Sequence, residues 1–497
     1  MSHEDLLNNN NKGAIEAELG CTYYYTHYQE TAKQFLESGI SRLSLYPCKE
    51  NYSRIAQALS YLGNMHKEIG EHKKARDLLE KSILLYKQHD PQNYIGMTRA
   101  LAYLGDTYKN LGDHQKAKDL LEKSITLSQK HPDSNQLGVA RTMLYLGIVY
   151  RDLGDYEKSI PLLKNSLTLF KKHENYIELA RALKYLGNTY RSLGQYEEAR
   201  NLLEQSVSIC KKYLPENHIA LGRSLVHLAT IYKNLGEYDK AKSLLNESLT
   251  IHQKVFGESS VRTAWVIVQL ANIDREMGDY EKAEESINGC LKTYVKSYGE
   301  NSLRTSWVFM QLGYVYEDLK KYKKAQEFLE KTLKVHKNHF KEDQLNIAVI
   351  LFHLGNVYKG LGQYKKAHHF LEKSLIIYEK YYGEDHIETA KVLGSLGHLY
   401  ACKGKLDQAE ALMSKALYIL QRKQHPSQFL VYESLAELHL QKAQIEKNKG
   451  RAVEAEVFKA QAINELKQAL AITQAFFPER SAHTKRIQAT LNMAMSD

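Results

Sequence analysis

Residues 348–382 read AVILFHLGNVYKGLGQYKKAHHFLEKSLIIYEKYY. Apolar residues recur at helical spacing on both sides of the segment GLGQY, at Leu351 and Leu354 before it and at Ala367 and Leu371 after it. A glycine between two such stretches ends the first helix, because it adopts a left-handed backbone conformation without a steric cost. The stretch therefore predicts two antiparallel helices joined by a tight turn.

The glycine of this turn recurs along almost the whole chain. Most of the steps are 42 residues long, one is 40, and Lys320 stands in the place of the glycine in one unit. The turn glycines are Gly70, Gly112, Gly154, Gly194, Gly236, Gly278, Gly362 and Gly404. A period of this length predicts a solenoid in which neighbouring repeats share one continuous core, rather than a globular enzyme.

A second column of small residues marks where the two helices of each unit should touch. Its members are Gly63, Gly105, Gly147, Gly187, Ala229, Ala271, Gly313, Gly355 and Gly397. The residues expected opposite them are Ala75, Ala117, Ser159, Ala199, Ala241, Ala283, Ala325, Ala367 and Ala409. Small residues on both sides allow two antiparallel helices to approach closely.

These columns resemble the tetratricopeptide repeat (TPR) family, in which a leucine-glycine pair is followed by a tyrosine three residues on and an alanine twelve residues on. The resemblance covers residues 51–420, and the long unit with linkers such as YYGEDHIETA (381–390) is similar to the kinesin light chain subtype. It implies an all-α fold, a right-handed superhelical α-solenoid of antiparallel helix pairs. It also implies that the first helices line a concave groove.

The spacing predicts nine repeat units between two atypical ends. The units are 51–92, 93–134, 135–174, 175–216, 217–258, 259–300, 301–342, 343–384 and 385–426. Residues 1–50 are expected to form a degenerate N-terminal repeat or cap. Residues 427–477 form an extended degenerate repeat with an insertion of 11 residues, and residues 478–497 form a capping helix that Ser481 begins.

The groove should be lined by positions two, five, six, nine and thirteen of each unit, counted so that the small residue is position eight. Position two is arginine and position six is tyrosine in neighbouring units of the N-terminal half. Arginine offers a fork of donors that matches a carboxylate. The residues expected to bind an acidic ligand are Arg99, Arg141, Arg181, Arg223, Lys184, Asn188, Tyr103, Tyr145 and Tyr185.

Two tryptophans take position two in the next two units, with further apolar residues near them. The residues expected to bind an apolar anchor of the ligand are Trp265, Trp307, Met310, Tyr314 and Phe352. A structural interpretation stays open for both groups. The arginines could pair with acidic residues of a neighbouring helix, the tyrosines could pack, and the tryptophans could fill space between repeats.

Position twelve is a second basic column, which we assign to structure. Lys67 and its equivalents are followed four residues later by an acidic or amide residue such as Glu71, and where position twelve becomes Glu317 the later residue becomes Lys321. This exchange of charges within one chain predicts a local ion pair at the helix end.

Composition and motifs exclude most other classes. The net charge is +10 over 497 residues, which favours acidic partners weakly and does not argue for nucleic acid. No phosphate-binding glycine motif, metal pair or catalytic constellation is apparent, so we expect no enzyme, no catalytic residue, no metal and no cofactor. Scattered cysteines, a polar N-terminus and the lack of a long apolar run predict a cytoplasmic protein that does not cross a membrane. Delivery into a host cell by a dedicated secretion system stays open.

The leading hypothesis is a non-enzymatic adaptor that binds a peptide segment of a partner protein, with acidic groups and an apolar anchor, in its concave groove. A single-stranded RNA-binding repeat protein is an alternative, because arginine and tyrosine alternate on one face. Another is a regulatory sensor whose superhelix responds to a ligand. In a further alternative, the segment Met1–Lys12 fills the groove. The oligomeric state and the identity of the partner stay open.

Overall fold

The structure is a computed structural model that describes residues 3–24, 29–68, 70–129, 136–338, 345–477 and 481–496. Within these ranges it contains 23 α-helices and no β-strand. Consecutive helices pack in pairs, such as Lys49–Glu68 with His72–His89 and Tyr94–Asn110 with His114–Gln129 in the N-terminal part of the chain, and Ile219–Asn234 with Tyr238–Phe256 and Leu345–Gly360 with Tyr364–Tyr382 in the C-terminal part. The predicted all-α solenoid of paired helices is confirmed.

The helices are α1 His3–Tyr23, α2 Gln29–Leu43, α3 Lys49–Glu68, α4 His72–His89, α5 Tyr94–Asn110, α6 His114–Gln129, α7 Gln136–Asp152, α8 Tyr156–Lys172, α9 Tyr176–Ser192, α10 Tyr196–Tyr213, α11 Ile219–Asn234, α12 Tyr238–Phe256, α13 Val261–Glu276, α14 Tyr280–Tyr298, α15 Leu303–Asp318, α16 Tyr322–Lys337, α17 Leu345–Gly360, α18 Tyr364–Tyr382, α19 Ile387–Cys402, α20 Leu406–Arg422, α21 Gln428–Asn448, α22 Ala452–Phe476 and α23 Ala482–Ser496.

The contacts divide the chain into two compact units, Met1–Thr189 (unit 1) and Tyr190–Asp497 (unit 2). Unit 1 contains α1 to α8 and most of α9, and unit 2 contains α10 to α23. Of the predicted groove-filling segment Met1–Lys12, Met1 and Ser2 lie outside the described residues, and the rest begins α1. The boundaries of the nine repeat units stay predictions.

From α3 to α20, the turn inside each helix pair depends on one residue with a positive φ. The turn glycines have φ between +71° and +95°, and Lys320, which replaces a glycine, has φ +58°. At the turn of Lys320, the backbone N–H of Lys321 donates to the carbonyl of Tyr316 at 2.8 Å. At the equivalent turn of the next pair, the N–H of Gln363 donates to the carbonyl of Tyr358 at 2.9 Å. These bonds satisfy carbonyls at the helix end. Lysine therefore adopts the same turn as glycine, at a conformational cost.

The column of small residues lies where the helices of a pair are closest. A Cβ added to Gly63 would lie 2.7 Å from Cγ of Leu79 and 3.2 Å from the carbonyl oxygen of Ala75. Both Ala75 and Leu79 are fully buried. The same crowding recurs at Gly105, where an added Cβ would lie 2.6 Å from Cγ of Leu121. A side chain at these positions would push the second helix away.

We expect Lys320→Gly to raise the melting temperature, because it removes a left-handed lysine that costs about 1 kcal/mol. The matched reverse change is Gly404→Lys, at φ +73° with no atom within 4 Å of an added Cβ. It should lower the melting temperature by a similar amount. Scanning calorimetry of both variants checks the expectation, and equal melting temperatures would contradict it.

Candidate functional site

Two of the predicted arginines of unit 1 meet on one carboxylate. Arg141, on α7, donates through Nε to Oε1 of Glu178 at 3.1 Å. Arg181, on α9, lies 3.6 Å from the other carboxylate oxygen of Glu178. Burial alone would raise the pKa of Glu178, but the two arginines outweigh burial and lower it. The structure therefore pairs Arg141 with an acidic residue of a neighbouring helix, as the structural interpretation allowed, and Arg181 with an acidic residue of its own helix.

A second carboxylate, Asp106 on α5, is the centre of the charged cluster. Its oxygens lie 2.5 Å from Nζ of Lys67, 2.5 Å from Nζ of Lys109 and 4.0 Å from a guanidinium nitrogen of Arg181. The Asp106 side chain is only 2% exposed. Burial alone would raise its pKa, but the three cations outweigh burial and hold the pKa well below its ordinary value. Asp106 is therefore ionised and fixed among cations.

Tyrosine rings separate the charges of this cluster. Nζ of Lys67 lies 5.8 Å from the ring centre of Tyr103 and 5.3 Å from that of Tyr145. The guanidinium of Arg181 lies 5.1 Å from the ring centre of Tyr145. Both rings are 1% exposed. A cation above an aromatic ring is attracted by the negative charge on the face of the ring. The tyrosines therefore hold the charged side chains in place.

The same arrangement continues toward the N-terminus of unit 1. The guanidinium of Arg99 lies 4.9 Å from the ring centre of Tyr61, and the ring of Tyr24 lies 5.0 Å from that of Tyr61. Asn64 donates a hydrogen bond to the hydroxyl of Tyr24. The end of α1 thus supplies an aromatic side chain to the predicted groove face.

Tyr185 on α9 is the most strongly perturbed tyrosine of the cluster. Nζ of Lys184 lies 4.4 Å and the guanidinium of Arg151 lies 5.6 Å from its ring centre. Lys184 lowers the pKa of Tyr185 to about 7, with contributions from Lys109 and Arg181, although burial opposes the change. A neighbourhood that stabilises a phenolate this strongly is electropositive.

The other predicted residues of this group differ in their placement. Lys184 and Asn188 lie one turn apart on α9 and are both buried. Arg223 lies on α11 in unit 2 and is half-buried. The predicted basic stripe is therefore divided between the two units.

The predicted apolar group lies in unit 2, where its tryptophans pack between helices. The ring centre of Trp265 lies 6.2 Å from that of His252 on α12 and 5.9 Å from that of His227 on α11. The ring centre of Trp307 lies 6.2 Å from that of Tyr294 on α14. Both tryptophans are half-buried. Each therefore fills space against the preceding pair, and its binding of an apolar ligand group stays a prediction.

The remaining apolar residues surround one histidine. The ring of Tyr314 stacks on that of His353 at 3.7 Å, and the ring centre of Phe352 lies 5.0 Å from it. Nδ1 of His353 lies 2.6 Å from a carboxylate oxygen of Glu317. Met310 packs against the same core. Packing accounts for the presence of these residues. A further role in contacting a ligand stays a prediction.

The local ion pairs predicted at position twelve are wrong for Lys67 and Lys109. Both lysines contact Asp106 of α5, and Glu71 contacts Nδ1 of His66 at 2.6 Å instead. The physical reason is the turn between the two positions. The later residue lies at the start of the second helix, where Asp155, for example, accepts a hydrogen bond from the N–H of Lys158.

The sequence interpretation missed the two carboxylates that organise the cluster. Asp106 is the one acidic residue at position nine among the nine units, and Glu178 precedes Arg181 by three residues. A comparison of the charge at position nine across the nine units would have identified Asp106.

Among the described residues, no three histidine, cysteine, aspartate or glutamate side chains lie close enough to hold a metal ion. None of the described helices is both long and apolar enough to cross a membrane.

A sequence model of the tetratricopeptide repeat matches residues 54–130, 138–212, 220–288, 262–338 and 346–422. The chain belongs to the tetratricopeptide repeat family. A model of anaphase-promoting complex subunit 5 matches residues 309–377, which lie within these repeats. No curated protein matches the TPR chain at a significant level.

Solved structures with a similar fold include a Rap protein and a quorum sensor. A Rap protein complexed with Competence and Sporulation Factor has a TM-score of 0.57 at 13% identity, and covers 75% of this chain and 98% of its own. The apo quorum sensor NprR from B. thuringiensis has a TM-score of 0.52 at 15% identity, and covers 73% of this chain and 97% of its own. A protein classed as a kinesin light chain from Podosopora anserina has a TM-score of 0.32 at 23% identity, with coverage of 41% and 97%. The family and the fold support a protein-interaction scaffold.

We expect Asp106→Asn to destabilise unit 1 by about 3–5 kcal/mol, because it removes the closest anionic partner of the buried Lys67 and an anionic partner of Lys109. Asp113→Asn is the matched control, since Asp113 pairs with the exposed Lys116 at 3.2 Å and should cost less than about 1 kcal/mol. Urea unfolding of both variants measures the difference, and equal losses would show that the Asp106 cluster contributes no more than a surface pair.

We expect one tyrosine of this chain to ionise near pH 7, because Lys184 lowers the pKa of Tyr185 to about 7. Ultraviolet difference titration of tyrosinate absorbance should show this step, and Tyr185→Phe should remove it. Lys184→Met should move the step to higher pH, whereas Lys123→Met, at an exposed position of α6, should leave it unchanged. A step that survives in Tyr185→Phe would assign the low pKa to another residue.

Proposed function

We propose that this TPR protein is a non-catalytic adaptor that binds an acidic segment of a partner protein on the groove face of unit 1. The supporting observation is the number of basic side chains gathered in the cluster. In the described part of unit 1, ion pairs join four basic side chains, Lys67, Lys109, Arg141 and Arg181, to the carboxylates of Glu68, Asp106 and Glu178. A fifth basic side chain, Lys184, lies over the ring of Tyr185 beside them.

The gathering of cations favours an anionic ligand because several positive charges buried close together repel one another. An ion removed from water costs several kcal/mol unless an opposite charge lies near it. A carboxylate from a ligand would supply that charge in surroundings where tyrosine rings exclude water and strengthen the attraction. A neutral or basic ligand would not.

The arginines retain capacity for a ligand although they are paired. Arg181 lies 3.6 Å from Glu178 and 4.0 Å from Asp106, which is longer than a good charge-assisted hydrogen bond. A guanidinium carries five N–H donors. A ligand carboxylate could therefore form shorter bonds to Arg181 without breaking the cluster.

The comparisons add support at the level of the fold. The Rap protein that shares it was solved with Competence and Sporulation Factor bound, and NprR is described as a quorum sensor. We carry over to this chain only that such a solenoid binds a partner. A cytoplasmic location belongs to the same proposal, and no disulfide joins the described cysteines.

A single-stranded RNA is the second candidate, because cations lie over tyrosine faces in this cluster. Bases could stack on such rings while phosphates meet the cations. The modest net charge of +10 over 497 residues favours this candidate less.

We expect a fluorescently labelled peptide of alternating glutamate and leucine to bind the full chain. The double variant Arg181→Gln with Lys184→Gln should weaken binding by at least about 10-fold, because it removes two charge-assisted contacts. Lys123→Gln is the control, at an exposed position of α6. Fluorescence polarisation measures the affinities, with circular dichroism to confirm that each variant is folded.

The same titration separates the candidates. A peptide with lysine in place of glutamate should not bind, and a labelled oligouridylate should bind more weakly than the acidic peptide. Tighter binding of the oligouridylate, with a steep loss of affinity as salt rises, would favour RNA. Equal affinity of the double variant and the control would overturn the proposed site.

A further inference from the structure

In unit 2, three linkers between helix pairs contact the turns of much earlier pairs. We call these three contacts the seam. Each brings one histidine to a turn that contains a glycine: His386 to the turn of Gly194, His425 to that of Gly236 and His483 to that of Gly278. The partners lie 191 residues apart for His425 and Asn234 and 207 residues apart for His483 and Glu276. One superhelical turn of unit 2 therefore closes on itself.

The glycines at the seam are needed for contact as well as for backbone conformation. A Cβ at Gly194 would collide with Nε2 of His386, and one at Gly236 would lie 2.5 Å from Cγ of Pro426. A Cβ at Gly278 would lie 2.9 Å from Oγ of Ser481. At Gly404, by contrast, no atom lies within 4 Å of the added Cβ. The seam therefore depends on the absence of a side chain at three turns.

Backbone groups on both sides define the protonation state of the seam histidines. Nδ1 of His425 accepts a hydrogen bond from the N–H of Ser427 at 3.1 Å, and its Nε2 donates to the carbonyl of Asn234 at 3.1 Å. Nδ1 of His386 likewise accepts from the N–H of Glu388 at 3.2 Å. A backbone N–H only donates, so each Nδ1 must be without a proton. The closed seam requires neutral imidazole at these two positions.

The third histidine makes the same contact with a helix end. Nε2 of His483 donates to the carbonyl of Glu276 at 3.2 Å, and its Nδ1 lies 3.4 Å from the hydroxyl of Tyr280. The rings of Phe429 and Phe477 lie 4.9 Å and 5.1 Å from its ring. An aromatic and largely apolar neighbourhood disfavours a charged imidazole.

Charges near the seam are of both signs. The charged groups that face His386 are Glu388, Asp385, Lys391 and Lys423. Those that face His425 are Lys391, Glu388 and Glu276. Those that face His483 are Arg486, Glu276 and Arg275. Because these charges partly offset one another, burial has the largest effect on the pKa of each histidine. It lowers the pKa of His386 and of His483 to about 4 and that of His425 to about 3.

The seam is formed by turn and linker residues and by residues at helix ends, and among the described residues of unit 2 no two helices pack lengthwise across it. Beyond the histidines, the ring of Tyr238 stacks on that of Phe477 at 5.4 Å. Tyr238 and Met277 on one side and Phe429 and Phe477 on the other belong to one buried apolar cluster. The histidine contacts therefore act together with apolar packing to hold the turn closed.

We propose that the seam is an acid-sensitive latch, which holds one superhelical turn of unit 2 closed while its three histidines are neutral and opens when they are protonated. This device goes beyond ligand binding in unit 1, because its residues all belong to unit 2.

The direction of the effect follows from proton linkage. In an open seam the histidines regain an ordinary pKa of 6.5, above the values of the closed state. The open state therefore binds more protons, so closure is fully stable above pH 6.5 and is lost as pH falls toward 4. At pH 5 each histidine shifts the equilibrium toward opening by about 30-fold.

Small-angle scattering of the full chain from neutral to acidic pH tests the latch, with far-UV circular dichroism in parallel. The radius of gyration should rise reversibly between pH 6.5 and 4 while helicity stays constant. His425→Gln should make this rise less steep, because one titrating group is lost. His369→Gln, at an exposed position of α18, should leave the profile unchanged.

A pair of glycine variants tests the seam without changing pH. Gly236→Ala and Gly404→Ala impose similar backbone strain, at φ +82° and +73°, but only Gly236 lies in the seam. Gly236→Ala should be expanded at neutral pH and Gly404→Ala should not. Equal scattering of the two variants, or a radius that changes only when helicity is lost, would overturn the latch.

Discussion

The helix pairs from α3 to α20 each depend on one residue in the left-handed backbone conformation. That residue ends the first helix, turns the chain through the hydrogen bonds at the helix end and starts the second helix at a fixed orientation. Because the turn is the same in each unit, side chains at equivalent positions fall on the same side of successive helices. The charged cluster of unit 1 and the seam of unit 2 are both consequences of this regular turn.

The charged cluster of unit 1 is held by charges rather than by apolar packing alone. Asp106 gathers Lys67, Lys109 and Arg181, and the tyrosines separate the cations. Such a network is costly to bury and its members depend on one another, since loss of one carboxylate weakens the compensation of several cations. The positive character of the cluster is therefore a property of the network and not of one arginine.

The sequence predicts the repeated parts of the structure and fails where repeats interact at a distance. The turn glycines and the close contact at Gly63 follow from a local pattern, and even Lys320 adopts the expected turn. The pairing of Lys67 with Asp106 joins neighbouring first helices, so a rule about residues four apart on one helix led to Glu71. The seam joins residues about 191 positions apart, and nothing in a 42-residue period indicates that distance.

The seam also limits how the length of this solenoid could change. Repeat proteins generally gain or lose whole repeats with little disturbance, since each repeat contacts only its neighbours. Here, removal of one 42-residue unit between Gly236 and His425 would preserve every neighbouring contact but bring a different linker to that turn. The number of repeats in unit 2 is thus fixed by a ring closure. In this respect unit 2 resembles a closed ring more than an open stack.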